Sequence, residues 1–309
     1  MTTSFADALV DYLTLRRRFG HKLADAERVL ERFVVHLDTL AATTITMPVA
    51  LGFIMDPTLD PASSGPSRRL QAVRGFTRYL AGIDPATEIP PAGIVTYRAQ
   101  RRQPYLFNND EITRLMTAAA SSARTPQRAV MLDTMIGLLA VTGMRVGEAI
   151  RLCDTDIDTT TNVITIRATK FDKSRHVPVT ASTINALNTC REARDEILSG
   201  AQRDRVFVSG NATPVAYSHF CFTFRRALAA TGIGADSAIR PRIHDLRHTF
   251  AVRTLTDWHR NGADVATMLP RLSTYLGHRE PRYTYRYLTA TPELLGHAAN
   301  LLEADQVSS

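Results

Sequence analysis

Residues 163–179 read VITIRATKFDKSRHVPV and interrupt a chain whose other segments follow a helical pattern. The stretch begins with side chains that alternate with a period of two, which is the pattern of a β-strand. Residues 175–179 form a second short alternating segment, and the polar residues 169–174 between the two have the composition of a turn. The stretch therefore predicts a β-hairpin with Lys170 and Lys173 at its tip.

On both sides of the hairpin the apolar residues recur at helical spacing. The chain is therefore predicted to be mainly α with a small antiparallel β-sheet. Residues 84–104 contain four prolines, which end helices and stiffen a linker. We predict a helical N-terminal domain of about four helices over residues 1–90. A proline-rich linker follows over residues 91–104, and a second domain over residues 105–309.

The composition favours a folded, basic protein with a polyanionic partner. The chain has 309 residues, of which 44% are hydrophobic, and its net charge is +7 with a pI of about 9.6. Nucleic acid is the commonest partner of such proteins. The three cysteines are far apart, so neither a disulfide framework nor a zinc site is predicted. No secretory signal and no membrane span are evident, so we expect a cytoplasmic, nucleoid-associated protein without a membrane partner.

Arginine supplies nearly all of the positive charge, because only three of the basic residues are lysines. Three arginines follow one another near the start of the chain, and others lie on the expected outer face of a helix over residues 67–80. Such basic groups are either solvated helix surface or contacts to DNA phosphates. The candidate DNA-binding residues are Arg16, Arg17, Arg18, Arg68, Arg69, Arg74 and Lys173.

Two segments carry polar residues that core packing does not explain. In residues 141–152, Arg145 lies between two helical segments and apolar neighbours, where it either pairs with Glu148 or points at an anion. In residues 243–252, His244 and Arg247 share one face of a helix. His248 follows at the spacing of a helical metal pair, but no third ligand is evident, and we interpret it as a packed helix residue.

Residues 275–288, YLGHREPRYTYRYL, form a third such segment. A helix is predicted to stop at Gly277, and His278 follows in the loop. Three tyrosines come next, which either pack on the core as an aromatic helix or carry chemistry. These are Tyr283, Tyr285 and Tyr287.

In their order and spacing, these segments resemble the motifs of the tyrosine recombinase (phage integrase) family. TGMRVGEAIRL resembles its first arginine box, IHDLRHTFA its HxxR box, and LGH followed by a tyrosine on the ninth residue its final box. The hairpin lysine lies where the family keeps its catalytic lysine. The resemblance covers about residues 105–290. The helical first domain fits the family's core-binding domain in size and position only.

The resemblance implies an enzyme that breaks and rejoins DNA without metal or ATP. Two arginines would hold the scissile phosphate, two histidines would hydrogen-bond it, and a tyrosine would attack it to give a 3′-phosphotyrosyl link. A lysine would protonate the departing 5′ oxygen. The implied catalytic residues are Arg145, Lys170, His244, Arg247, His278 and Tyr287.

Two choices of residue stay open at this point. Tyr283 and Tyr285 compete with Tyr287, which we favour for its spacing after His278 and for the local pattern TxxYL. Lys173 competes with Lys170, which we favour because it ends the first strand of the hairpin.

The family also implies partners: double-stranded DNA with specific recombination sites, a homo-tetramer on that DNA, and sister recombinases or accessory proteins. Residues 291–302 are a candidate docking segment for a neighbouring protomer. The segment between Arg247 and His278 is longer than in compact Xer members, and residues 284–295 resemble recombinases of transposable elements. The rival readings are a DNA-binding regulator without catalysis, a type IB topoisomerase-like enzyme, and a metal-dependent hydrolase using His244 and His248.

Overall fold

The computed structural model describes residues 4–21, 23–60, 63–95, 103–167, 174–200, 204–278, 280, 282–288 and 296. The chain divides into two compact units, residues 1–101 and residues 102–309. Among the described residues, no helix is both long enough and apolar enough to cross a membrane. The mainly α class with a small antiparallel sheet, predicted from the sequence, is confirmed.

The first unit is a bundle of four helices among the described residues. Its core is built from large apolar side chains such as Phe33, Leu37 and Phe76, each 0% exposed. Helix α4 begins with Gly65 and Pro66, slightly earlier than predicted, because proline is well tolerated in the first turn. The helices are α1 (Phe5–Arg18), α2 (Ala24–Thr39), α3 (Met47–Ile54) and α4 (Gly65–Leu80).

The helical periodicity predicts the arginines of α4 on its outer face, but two of them fold back against the protein. Arg69 stacks over the Phe53 ring at 4.4 Å and is ion-paired with Asp56 at 3.1 Å. Arg74 donates a hydrogen bond to the carbonyl oxygen of Pro90. The arginine stems cover apolar surface while their head groups bind nearby oxygens, which a helical wheel does not reveal.

The second unit combines a helical core with a small sheet. Helix α5 starts at a capping box in which Asn108 and Glu111 exchange hydrogen bonds with each other's backbone N–H groups. Helix α6 lies against both α5 and α8. The helices are α5 (Asn109–Ser121), α6 (Pro126–Thr142), α7 (Val146–Ile150), α8 (Ala181–Leu198), α9 (Tyr217–Thr231), α10 (Asp245–Arg260), α11 (Val265–Leu276) and α12 (Arg282–Tyr285).

The sheet has three antiparallel strands in the order β1 (Ile157–Asp158), β2 (Val163–Ile166) and β3 (Arg175–Pro178). Ile166 pairs with Arg175, so the hairpin has the predicted antiparallel pairing. Strand β1 was not predicted because two residues are too few to show a period. The tip of the hairpin, with Lys170 and Lys173, lies outside the described residues.

Candidate active site

Two helix ends supply carbonyl groups to one place in the second unit. Helix α6 ends at Gly143 with φ +59°, and α11 ends at Gly277 with φ +66°. The last carbonyls of a helix have no partner within it and need one from elsewhere. Here the partners are guanidinium groups, because Arg145 and Arg247 donate to these carbonyls.

Arg247 lies in the first turn of α10 and is 2% exposed. Its guanidinium donates to the carbonyl oxygens of Gly143 at 2.8 Å and Leu276 at 2.6 Å. Burial, followed by the positive charge of Arg145, lowers the pKa of Arg247 to about 10. It therefore stays charged at neutral pH, and no carboxylate within the described ranges forms an ion pair with it.

Arg145 precedes α7 and is less enclosed, with 42% of its side chain exposed. Its guanidinium donates to Glu148 at 2.8 Å and to the carbonyl oxygen of Gly277 at 3.1 Å. The sequence left a choice between a structural pair with Glu148 and an anion site. The structure contains the pair and also leaves a substantial part of the Arg145 side chain open to solvent.

Glu148 is buried and shared between two arginines. Arg175, at the start of β3, donates to its two carboxylate oxygens at 3.0 and 2.7 Å. Burial alone would raise the pKa of Glu148, but the hydrogen bonds and charges of Arg175 and Arg145 outweigh it and lower the pKa to about 2. The carboxylate is therefore ionised at neutral pH.

Tyr287 is 2% exposed, whereas Tyr283 and Tyr285 are 38% and 51% exposed. The Tyr287 ring stacks on His278 with centroids 5.9 Å apart and meets the His248 ring at 5.4 Å nearly edge-on. Burial raises the pKa of Tyr287, while the charge and a hydrogen bond of Arg247 oppose that rise. Of the three tyrosines, Tyr287 is the one enclosed by the arginines and histidines.

Three histidines complete the site, and each has a lowered pKa. Burial, and then Arg247, lowers the pKa of His278 to about 3, and its Nδ1 lies 2.8 Å from the hydroxyl oxygen of Thr284. Burial, and then His244, lowers the pKa of His248 to about 4. His244 remains exposed, and its pKa is lowered first by the buried part of its ring and then by Arg247. His248 and His278 are therefore neutral at pH 7.

The structure thus brings together five of the six predicted catalytic residues, and Lys170 lies outside the described part of the chain. The six candidate arginines belong to the first unit. Two further residues beside the site, His248 and Arg175, were not predicted from the sequence to be part of it. The spacing of His248 from His244 was the available signal, since it puts both rings on one helix face at 5.0 Å. No group of three metal-ligating side chains occurs among the described residues.

The comparisons with known proteins cover most of the chain. The model of the phage integrase family matches residues 106–293. The integrase/recombinase protein y4rB of Sinorhizobium fredii is 38% identical, over 97% of this chain and 98% of its own length. The tyrosine recombinase XerC of Pediococcus pentosaceus is 27% identical, over 92% of each chain.

Two solved structures share the fold. The Tn1549 transposon integrase in complex with transposon right end DNA has a TM-score of 0.64 and 15% identity, over 98% of this chain and 99% of its own. A lambda integrase dimer bound to a core site has a TM-score of 0.63 and 18% identity, over 93% and 78%. The family match over residues 106–293 and the 38% identity to y4rB show that the chain belongs to the phage integrase family of tyrosine recombinases, enzymes that break and rejoin DNA.

Proposed function

We propose that the chain is a site-specific recombinase of double-stranded DNA with Tyr287 as its nucleophile. The phenolic oxygen attacks the scissile phosphorus, an O–P bond to Tyr287 forms, and the P–O bond to the 5′ oxygen breaks. The products are a 3′-phosphotyrosyl link and a free 5′-hydroxyl, and attack by a 5′-hydroxyl on that link rejoins a strand. The observation that carries the proposal is the packing of Tyr287 against two histidines and Arg247.

In this scheme the two arginines bind the non-bridging oxygens of the phosphate. Positive charge fixed at that place stabilises the extra negative charge of the pentacoordinate transition state. Arg247 supports this role because its hydrogen bonds go to carbonyls, which orient it without cancelling its charge. Arg145 and His244 are the exposed members of the site, so the phosphate arrives from their side.

Proton transfer is assigned to the histidines and a lysine. Tyr287 must lose its proton during attack, and neutral imidazoles beside it can accept or relay that proton. Lys170, with Lys173 as the alternative, donates a proton to the departing 5′ oxygen. The side chains supply the positive charge and the phosphotyrosyl link retains the energy of the phosphodiester. The scheme therefore requires neither a metal ion nor ATP.

The remaining partners follow from the same scheme. The helical first unit acts as a core-binding domain on the DNA, and four protomers assemble on two recombination sites. Sister recombinases or accessory proteins take part in that assembly, and residues 291–302 dock on a neighbouring protomer. The protein works in the cytoplasm at the nucleoid. Arginine contacts to DNA phosphates make its binding strongly dependent on salt.

The test is a search for a covalent adduct. The protein is incubated in EDTA with sheared DNA of its source organism, and SDS-resistant DNA–protein complexes are collected. Tyr287→Phe is compared with Tyr283→Phe and Tyr285→Phe. We expect the adduct to be lost only in Tyr287→Phe, and sequencing the attached ends then identifies the site.

Other outcomes contradict specific parts of the proposal. An adduct that survives Tyr287→Phe but is lost with another tyrosine would overturn the assignment of the nucleophile. DNA binding without any adduct would favour a regulator without catalysis. Relaxation of supercoiled plasmid by single protomers, without strand exchange, would favour a topoisomerase-like enzyme.

A further inference from the structure

The carboxylate of Glu148 accepts hydrogen bonds from two guanidinium groups, those of Arg145 and Arg175. On one side is Arg145, whose guanidinium and backbone N–H both donate to it at 2.8 Å. On the other is Arg175, which forms a two-oxygen pair with it. The side chains of Glu148 and Arg175 are 4% and 8% exposed, so this pair is shielded from water. Coulombic effects are strongest at such shielded positions.

This arrangement decides how much charge the site can offer a phosphate. Arg145 needs Glu148 for its orientation, but a carboxylate with no second partner would also cancel the charge of Arg145. Arg175 supplies the compensating charge. The three guanidiniums of Arg145, Arg175 and Arg247 with the single carboxylate leave a surplus of about two positive charges. The effect reaches Arg247, because the charges of Arg145, Glu148 and Arg175 all shift its pKa.

Arg175 is also fixed in place more firmly than an ordinary surface arginine. Its Nε donates to the carbonyl oxygen of Tyr275 at 2.8 Å, in the last turn of α11. A β-carbon at Gly277 would lie 2.8 Å from its Nη1, so the backbone passes close against the guanidinium. The residue thus joins β3 to the helix end that supplies carbonyls to Arg145 and Arg247.

We propose that Arg175 is a positioning residue that compensates the charge of Glu148, so that Arg145 is oriented by the carboxylate and still keeps its charge for the scissile phosphate. The proposal rests on the proposed function, and it assigns Arg175 no contact with DNA. It predicts that the damage caused by losing Arg175 comes largely from the unbalanced carboxylate. Removing the carboxylate charge as well should then repair part of that damage.

The experiment measures the initial rate of adduct formation on the duplex identified from the attached ends. Arg175→Met, Glu148→Gln, the double variant and Arg175→Lys are compared with the unaltered protein at saturating DNA. Arg175→Met should slow the reaction on the order of 100-fold, the loss typical of one misplaced charge-stabilising group. The double variant should recover about tenfold, because glutamine still accepts from Arg145 without cancelling its charge. Arg175→Lys should retain more activity than Arg175→Met.

Arg194→Met is the matched control, because Arg194 is a buried arginine of α8 whose hydrogen bonds go to Asp154, Asp195 and the carbonyl oxygen of Arg205 rather than to residues of the site. It should lose stability in thermal melting but keep its adduct rate at temperatures where it is folded. A double variant no faster than Arg175→Met would overturn the proposal and leave Arg175 as a structural support. Absence of an adduct with the unaltered protein would instead refute the proposed function, so the two failures are distinguishable.

Discussion

Arg69 in the first unit and Arg247 in the second are both largely withdrawn from solvent, but they are held by different partners. Arg69 donates to the carbonyl oxygen of Phe53 at 2.5 Å and pairs with Asp56, so its charge is cancelled within the fold. Arg247 is held by two carbonyls and has no paired carboxylate in the described parts of the chain. The difference suggests a criterion: an arginine oriented by carbonyls retains a charge that a phosphate can use.

The largest expected effect comes from exchanging each of these arginines for lysine. Arg247→Lys should slow adduct formation by about 10³-fold, because an ammonium cannot keep both carbonyl contacts and present a planar fork to the phosphate. Arg69→Lys should leave the rate within about twofold of the unaltered protein and only lower stability slightly. The measurement is the adduct rate at saturating DNA, with thermal melting as the control for folding. Equal rates for the two variants would remove the basis of the comparison.

The carbonyl support of Arg247 can be broken separately from Arg247 itself. At Gly143 a β-carbon would lie 2.6 Å from the Phe250 ring, and φ is +59°. Gly143→Ala should therefore lower the free energy of unfolding by about 2–4 kcal/mol through strain and overpacking, and should also slow cleavage. Gly232→Ala is the matched control, because φ is +66° there but no atom lies within 4 Å.

The control should cost only the left-handed backbone strain, about 1 kcal/mol, and leave cleavage unchanged. Urea denaturation can be followed by the fluorescence of Trp258, the chain's single tryptophan. It packs against the cluster of buried apolar residues that contains Tyr287. Equal losses of stability at the two glycines would show that the contact with Phe250 has no energetic weight.

The two buried histidines beside Tyr287 also predict how stability depends on pH. Burial and nearby cations hold the pKa of His248 at about 4 and that of His278 at about 3, below the unfolded value of 6.5. As pH falls from 6.5 towards 4, the unfolded chain takes up protons that the folded chain does not, so stability decreases. Each histidine should contribute about 1 kcal/mol of this loss between pH 7 and 5.5.

His248→Phe keeps an aromatic ring next to Tyr287 but cannot titrate. Its urea midpoint, followed by Trp258 fluorescence, should therefore fall less steeply with acidification than that of the unaltered protein. Glu148 does not interfere in this window, because its pKa lies at about 2 in the folded chain and at 4.5 when unperturbed. An unchanged slope in the variant would contradict the low pKa of His248.

The sequence predicted those features that depend on local pattern. The period of two identified β2 and β3, and the helical period together with Gly277 identified the end of α11. The motif spacing favoured Tyr287, and the structure encloses that tyrosine while leaving Tyr283 and Tyr285 exposed. These inferences succeed because the periods and the glycine with positive φ reflect backbone geometry within a few residues.

The contacts that connect distant segments could not be predicted in the same way. Arg175 meets Glu148 across 27 residues, and Arg247 meets Gly143 across 104. Neither separation leaves a periodic signal in one sequence. On α4 the helical periodicity predicted Arg69 on the outer face, and this was wrong. A long side chain can bend back over Phe53 when Asp56 is within reach.

The smallest effect concerns DNA binding by the first unit. Arg68 is exposed on α4, directly beside the paired Arg69. If this helix contacts DNA phosphates, Arg68→Ala should weaken binding a few-fold and reduce the slope of log affinity against log salt by about 0.9, the value for one lost phosphate contact. Arg69→Ala should leave that slope unchanged and lower stability instead, because its charge is already paired. Fluorescence anisotropy on the identified duplex across a salt series measures the affinity and its salt slope for both variants. A slope that falls for Arg69→Ala but not for Arg68→Ala would mean that DNA breaks the pair with Asp56, and the criterion of a free charge would then fail in this unit.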